Sequence, residues 1–421
     1  MKLNRRRFLQ STAALGAVAA AAPASTSKPD WTKVRQDFPW LKRKVWLSGA
    51  DYHPIGIHSL RAMERYLAYR AHGPGEGRST YTVGQQRETK ELFARLINAR
   101  PGEIAFVQST TDAENLVVAG MGLMRARGNV VIDDLHYQAS KFLYRMLQKE
   151  GQIELRVVPH QRDGYWKIDP KEMGKAIDRN TKLVSLALVS NINGYVHDVK
   201  ATSELAHARG ALVYADIIQG AGAIPIDVRA MGIDCAGCGA YKWLMGDMGF
   251  GFLYVREDLQ ESVVKRSRYG VRQFTSPNRA QADSKFDLLP GAARYEVASS
   301  LPNCGGVCVH AALRYIHNLG IDNIRAHAKE LTDRLQKELP KLGYAPITPP
   351  ENPTPIVSFL TPDYEKTAAR LDKAFGETVI AMRRWEFTDA AGEASVVHGM
   401  RISPSVYNNN DDIDRLLSAL S

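Results

Sequence analysis

Residues 237–251 read "GCGAYKWLMGDMGFG" and place one lysine, Lys242, among glycines, an alanine and aromatic rings. Asp247 is the only other charged residue in the stretch. An ammonium beside Ala240, Tyr241 and Trp243 either leans out from a strand end into water or is desolvated. Desolvation disfavours the charged form and lowers an amine's pKa, which frees the neutral amine as a nucleophile. Lysines that form Schiff bases need that environment.

Other polar residues stand where apolar runs stop. "SLALVSNINGYVHDV" ends its run with Asn191, and "LVYADIIQGAGAIPID" ends the next with Asp216, followed by Gln219. A carboxylate closing a wholly apolar strand is costly unless a cation or a donor meets it. A protonated ring nitrogen of a cofactor is one such partner; a structural arginine or a helix-capping role is another. In "VQSTTDAENLV", Ser109, Thr110 and Thr111 open a helix, with Asp112 and Glu114 in its first turn. That pattern makes either a phosphate seat or an ordinary cap. "VIDDLHYQAS" sets His136 and Tyr137 directly after a strand, where a ring either stacks on a flat ligand or simply packs. Each feature is common alone. Their order of seat, ring, Asn, Asp-x-x-Gln and Lys, each at a strand end, points to one crevice.

The elements that would position them are legible from about Glu103 onward. The strand patterns "IAFVQ", "NVVIDD", "IELRVVP", "KLVSLALVS", "ALVYAD" and "GFLYV" alternate with amphipathic helical patterns. This rhythm predicts an α/β fold with a mostly parallel sheet covered by helices on both faces. In such sheets ligands settle outside the carboxyl ends of the strands. The Pro-rich "YAPITPPENPTP" marks a boundary or a long connection. Beyond it follow a strand "IVSFL", a helix, a strand "TVIAM", a loop, a strand "GMRIS" and a last helix, enough for a small α/β domain. The expected division is a leader at 1–24, a large domain at 25–305 and a small C-terminal domain at 306–421.

A length of 421 residues, 44% hydrophobic and 24% charged, is that of a soluble globular protein larger than one small core. The net charge of +10 falls to +6 when Lys2, Arg5, Arg6 and Arg7 are set aside, leaving 51 basic against 45 acidic residues. The remaining cations are scattered, so no nucleic-acid partner is expected. The opening "MKLNRRRFLQSTAALGAVAAAAPAS" resembles a twin-arginine export signal with a small-residue cleavage site after Ala24. A periplasmic protein carried by the twin-arginine machinery, without a stable membrane anchor, is the expectation. The four cysteines tempt a metal reading, but Cys235 and Cys238 lie three apart on a strand pattern and so face opposite ways. Cys304 and Cys308, four apart, rarely meet disulfide geometry. No metal site is expected, and buried unpaired thiols are.

With those residues in place, the sequence resembles the class-V aminotransferase family of pyridoxal-phosphate enzymes, in its cysteine desulfurase and isopenicillin-N epimerase branch. The likeness runs from "VWLSGADYHPIG" to the C-terminus, through "STTDAEN", "VSN", "DIIQ", "AYKW", "RYEVASSLPN" and "RISPSVYNNNDDIDRL" in order. It implies a homodimer of fold type I with pyridoxal 5'-phosphate bound at the subunit interface. Lys242 would carry the cofactor as a Schiff base and Asp216 would hold its ring nitrogen protonated. Gln219 would face its phenolic oxygen, Asn191 the substrate side, and Tyr137 the ring. Thr110, Thr111 and Tyr241 would grip the phosphate, joined by Ser299 or Ser300 of the other subunit. Arg401 in "GMRIS" would fork onto the substrate's α-carboxylate.

Two departures qualify the likeness. Gly239 stands where many relatives have a serine phosphate ligand. The loop "RRWEFTDAAGEASVVHG" also lacks the nucleophilic cysteine that a desulfurase needs. Transamination is therefore the first expectation, with epimerisation or β-elimination as alternatives. A non-catalytic binding protein would not need the lysine.

Overall fold

The computed structural model describes residues 28–421 apart from 43, 126–127, 162–163, 276–284, 298–300, 378 and 389–393. The leader at 1–24 and both Ser299 and Ser300 therefore lie outside the described residues.

Among the described residues three α-helices precede the first strand: α1 (Trp31–Gln36), α2 (Ile57–His72) and α3 (Val83–Leu96). Strands β1 (Ile104–Val107), β2 (Asn129–Asp133), β3 (Glu154–Val158), β4 (Thr181–Ala187) and β5 (Leu212–Asp216) follow. They are separated by α4 (Thr110–Gly120), α5 (Gln138–Lys149), α6 (Pro170–Ala176) and α7 (Val199–His207). With β6 (Cys235–Gly239) and β7 (Gly251–Val255) they form one seven-stranded sheet of order β1-β7-β6-β5-β4-β2-β3. The expected mostly parallel sheet is present, with β7 running antiparallel to both β1 and β6. A two-stranded ribbon, β8 (Phe274–Thr275) and β9 (Asp287–Leu288), follows.

Strand periodicity divides the side chains between two cores. Ala105, Val107, Val130, Ile132, Tyr214 and Leu253 pack on the α4 and α5 side. Phe106, Val131, Val213, Ala215, Phe252 and Tyr254 pack on the opposite side. Cys235 belongs to the first core and Cys238 to the second, as their spacing on β6 requires. All four cysteines are free, with Cys304 only partly buried.

Two long helices, α8 (Asn303–Leu319) and α9 (Ile321–Glu338), lead to the C-terminal unit. There β10 (Val357–Leu360), β11 (Ala381–Thr388) and β12 (Ala394–Ile402) make an antiparallel sheet of order β10-β12-β11, flanked by α10 (Tyr364–Phe375) and α11 (Asn410–Leu420). Its core includes Val45 and Leu47 from the N-terminal segment beside Leu335, Phe359 and Met400. The segment expected as a loop after "TVIAM" is corrected: β11 continues through Arg383–Thr388 and pairs with β12 from Ala381↔Arg401 to Thr388↔Ala394. The physical reason is burial of Trp385 and Phe387 on one face while Arg384 and Glu386 stay exposed on the other. Among the described residues no helix is long and apolar enough to cross a membrane.

Candidate active site

One cleft is lined by Thr110, Thr111, Tyr137, Asn191, Asp216, Gln219, Tyr241 and Lys242. The carboxyl ends of β2, β4, β5 and β6, with the start of α4, bring these residues together.

Lys242 follows β6 by three residues and is 8% exposed. Burial first, then the nearby Arg401 charge, lowers its amine to about 8, against the opposing pull of Asp216 and Asp51. Its loop is set by Gly222, whose φ is +90°. A Cβ there would stand 2.3 Å from the Trp243 carbonyl oxygen, so only glycine lets the β5 exit and the lysine loop approach so closely.

Asp216 is the last residue of β5 and is buried. One of its oxygens accepts the Ile218 N–H at 3.0 Å. Burial pushes the carboxyl up to about 6, with the Ile218 N–H and Lys242 opposing. Gln219 is fixed at both ends of its amide. Its Oε1 accepts from Trp243 Nε1 at 2.8 Å, and its Nε2 donates to the Ala50 carbonyl at 3.0 Å. Indole N–H is only a donor, so the amide cannot be flipped, and its second N–H remains to be spent.

At the start of α4, Ser109 takes the capping role by accepting the Asp112 N–H at 3.1 Å. Thr110 is thereby released from capping; its Oγ1 accepts the Gly239 N–H at 2.9 Å and keeps its own hydrogen to donate. A side chain at Gly239 would meet the Ile218 and Tyr241 side chains at 3.1 Å, so a serine there would require these neighbours to shift by a few tenths of an ångström. Between His136 and Tyr137, the structure places Tyr137 in the cleft, its ring 6.0 Å from Lys242 Nζ. His136 is fully buried against Ser185 and accepts the Tyr137 N–H on its other nitrogen.

The residues 59–416 match the family described as Aminotransferase class-V. The chain belongs to the class-V aminotransferase family. A probable cysteine desulfurase of Methanothermobacter thermautotrophicus is 30% identical over 332 residues, covering 77% of this chain and 80% of that protein. A cysteine desulfurase of Escherichia coli is 28% identical over 403 residues, covering 92% and 97%. Among solved structures, the cysteine desulfurase of Thermococcus onnurineus superposes with a TM-score of 0.77 at 23% identity over 94% of this chain and 98% of its own. The cystine C–S lyase C-DES does so at 0.75 and 17%, over 91% and 98%. These two likenesses speak to the fold, which is that of fold-type-I pyridoxal-phosphate enzymes.

Whether a class-V cofactor suits this cleft is answered by its unspent groups. Asn191 Oδ1 is buried without a partner, and Asp216 is a buried carboxyl that gains from a cationic neighbour. A lowered amine, a donor-bearing amide and threonine hydroxyls at a helix start complete the set. These groups fit pyridoxal phosphate.

Arg401 is placed beside this cleft, not open to it. Its Nη1 donates to the Asn191 carbonyl at 2.8 Å and its Nη2 to Asp51. Asp51 also receives Arg383 and, on its other oxygen, the Ser48 hydroxyl at 2.8 Å. Sequence reasoning missed Asp51 and Arg383. The available signals were a carboxylate directly after the small residues of "SGAD", and the exposed–buried alternation from Arg384 to Phe387.

Proposed function

We propose that this class-V enzyme uses pyridoxal phosphate to act at the Cα of an amino-acid substrate, with an aminotransferase-type outcome. The observation behind the reading is a buried amine, lowered to about 8, sharing one cleft with a buried carboxyl. When bound, the cofactor supplies an electron-accepting ring that makes the Cα proton acidic.

Lys242 would hold the cofactor, Asp216 its ring nitrogen, Gln219 its phenolic oxygen and Tyr137 its ring face. Thr110, Thr111 and Tyr241 would hold the phosphate, with Ser300 of a second copy. As a free amine, Lys242 takes the proton at Cα, for which a pKa near working pH is suited. Tyr241 and Trp243 beside it limit access of water. Arg401 receives the substrate carboxylate. Homodimerisation is part of the proposal, supported by the partly exposed apolar residues Trp40, Tyr52 and Leu60 near Tyr241. So are export by the twin-arginine route and a periplasmic location, supported by the paired arginines of the leader.

A C–S lyase is the second reading, favoured by the names of the similar proteins. Removal of a thiol group from Cβ needs a proton taken at Cα and no enzyme thiol. Desulfuration through an enzyme cysteine lacks its nucleophile: Cys235 and Cys238 lie in β6, and Cys304 and Cys308 in α8. Burial raises all four thiols, Cys308 to about 12.

Borohydride reduction of the purified yellow protein followed by peptide mapping tests the core of the proposal; a label anywhere but Lys242 refutes it. Incubation with alanine and with cystine in deuterated water then separates outcomes. A 2-oxo acid without free ammonia means transamination, a 2-oxo acid with ammonia means elimination, and deuterium uptake with inversion means epimerisation.

A further inference from the structure

The guanidinium of Arg401 is 3% exposed, yet it is already paired with a carboxylate of its own chain. Asp51 lies over it from the outer side, about one third exposed, as is Arg383 beyond it. Arg383 and Arg401 share one face of the β11–β12 hairpin, because Ala381 stands opposite Arg401 and Arg383 is two residues further along β11. One oxygen of Asp51 meets both guanidinium groups, and the other is held by Ser48. The N-terminal segment is itself pinned to β12's exit: Gly49 N–H donates to the Ser403 carbonyl at 3.0 Å and Ala50 N–H to the Ser403 hydroxyl at 3.1 Å. Arg401 still has an unspent donor, since its Nε is buried without a partner.

We propose that Asp51 is an internal stand-in for the substrate carboxylate, held on Arg401 in the empty site and shifted onto Arg383 when a substrate carboxylate arrives. Arg383 gives Asp51 a place to go without losing all its ionic contacts, and Ser48 keeps it nearby. Two consequences follow. The stand-in competes with every carboxylate ligand, so it weakens their binding. Once displaced, it stays beside the substrate as a negative charge and disfavours a second anionic group. Asp51 is thus a specificity-determining residue selecting amino acids with a single carboxylate and a neutral or cationic side chain. The inference rests on the proposed role of Arg401 as the carboxylate receptor.

The test is calorimetric titration of the cofactor-loaded protein with propionate and, as a neutral analogue, propionamide. Asp51→Asn should tighten propionate roughly five-fold, the upper size of one partly exposed charge contact, and leave propionamide within about two-fold. Arg383→Gln, which leaves Asp51 wholly on Arg401, should weaken propionate by a similar factor. That weakening should vanish in the Asp51→Asn/Arg383→Gln double variant. Asp51→Ser replaces Asp51→Asn if the latter does not fold. Weaker or unchanged propionate binding in both Asp51 variants overturns the inference, because a carboxylate that only positions Arg401 would act that way. Arg401→Gln keeps the two ideas apart: if it leaves propionate binding intact, the receptor role of Arg401 fails instead.

Discussion

Replacing Lys242 by methionine keeps a long unbranched side chain and removes the buried ammonium. Burial, followed by the Arg401 charge, lowers this amine from its ordinary 10.5 to about 8. The unfolded chain titrates at the ordinary value, so at pH 7 folding works against about 3 kcal/mol from this one group. The folded pKa lies below the unfolded one, so the cost is complete below about pH 8 and fades as pH rises toward 10.5. At pH 9.5 about 1 kcal/mol of it remains. The attraction to Asp216 is already counted, since that carboxylate opposes the lowering. Urea unfolding of the cofactor-free proteins should therefore show Lys242→Met more stable by about 2–3 kcal/mol at pH 7 and by about 1 kcal/mol at pH 9.5. Borohydride trapping and turnover should both be lost. A variant less stable than the parent at pH 7, or a difference independent of pH, would refute the reading of Lys242 as a desolvated amine kept for chemistry.

Other perturbations address the groups around it. Asp216→Asn preserves shape but removes the charge proposed to face the cofactor ring, and should lower turnover on the order of 10²–10³-fold with the fold intact by circular dichroism. Gly222→Ala places a Cβ 2.3 Å from the Trp243 carbonyl at a φ of +90°. It should cost roughly 2–4 kcal/mol in urea unfolding and loosen cofactor retention together. Glu114 is buried and accepts from Ser140, Tyr144 and Ser185 at 2.6, 2.9 and 2.9 Å, and burial pushes its carboxyl from 4.5 up to about 7. Its folded pKa is raised, so it removes stability as pH climbs from about 4.5 to 7, by about 3 kcal/mol in all. Glu114→Gln should flatten that part of the stability-against-pH curve.

The sheet is legible because its strands alternate between two cores, so apolar runs ending in polar residues locate the crevice. Asp216, Gln219 and Lys242 were visible for the same reason, being polar groups at abrupt ends of apolar strands. What the sequence concealed were contacts made by backbone or across great separations. Gly239 looked like a missing ligand, yet its N–H holds Thr110 while Ile218 and Tyr241 crowd the space a side chain would take. Asp51 and Arg401 are 350 residues apart, and nothing local in "SGADYHP" says which cation it will meet. Only the stretch of the β11–β12 hairpin between "TVIAM" and "GMRIS" reads as a loop, because its charges mask the alternation that buries Trp385 and Phe387.

The long-range contacts also tie the two ends of the cleft into one electrostatic unit. Arg401 lowers the Lys242 amine, while Asp51 and Asp216 raise it. The same N-terminal segment that carries Asp51 presents the Ala50 carbonyl to Gln219, so the proposed carboxylate recognition and cofactor orientation would share a few residues of backbone. If a substrate carboxylate replaces Asp51 on Arg401, Asp51 stays close by on Arg383 and Ser48, so the site gains one negative charge. That added charge opposes the lowering of the Lys242 amine by Arg401, so binding of a carboxylate would make the amine more basic. A neutral ligand forced into the same position would leave Arg401 less compensated and push the Lys242 pKa lower. The arrangement thus couples what the site accepts to the basicity of the group that acts on it.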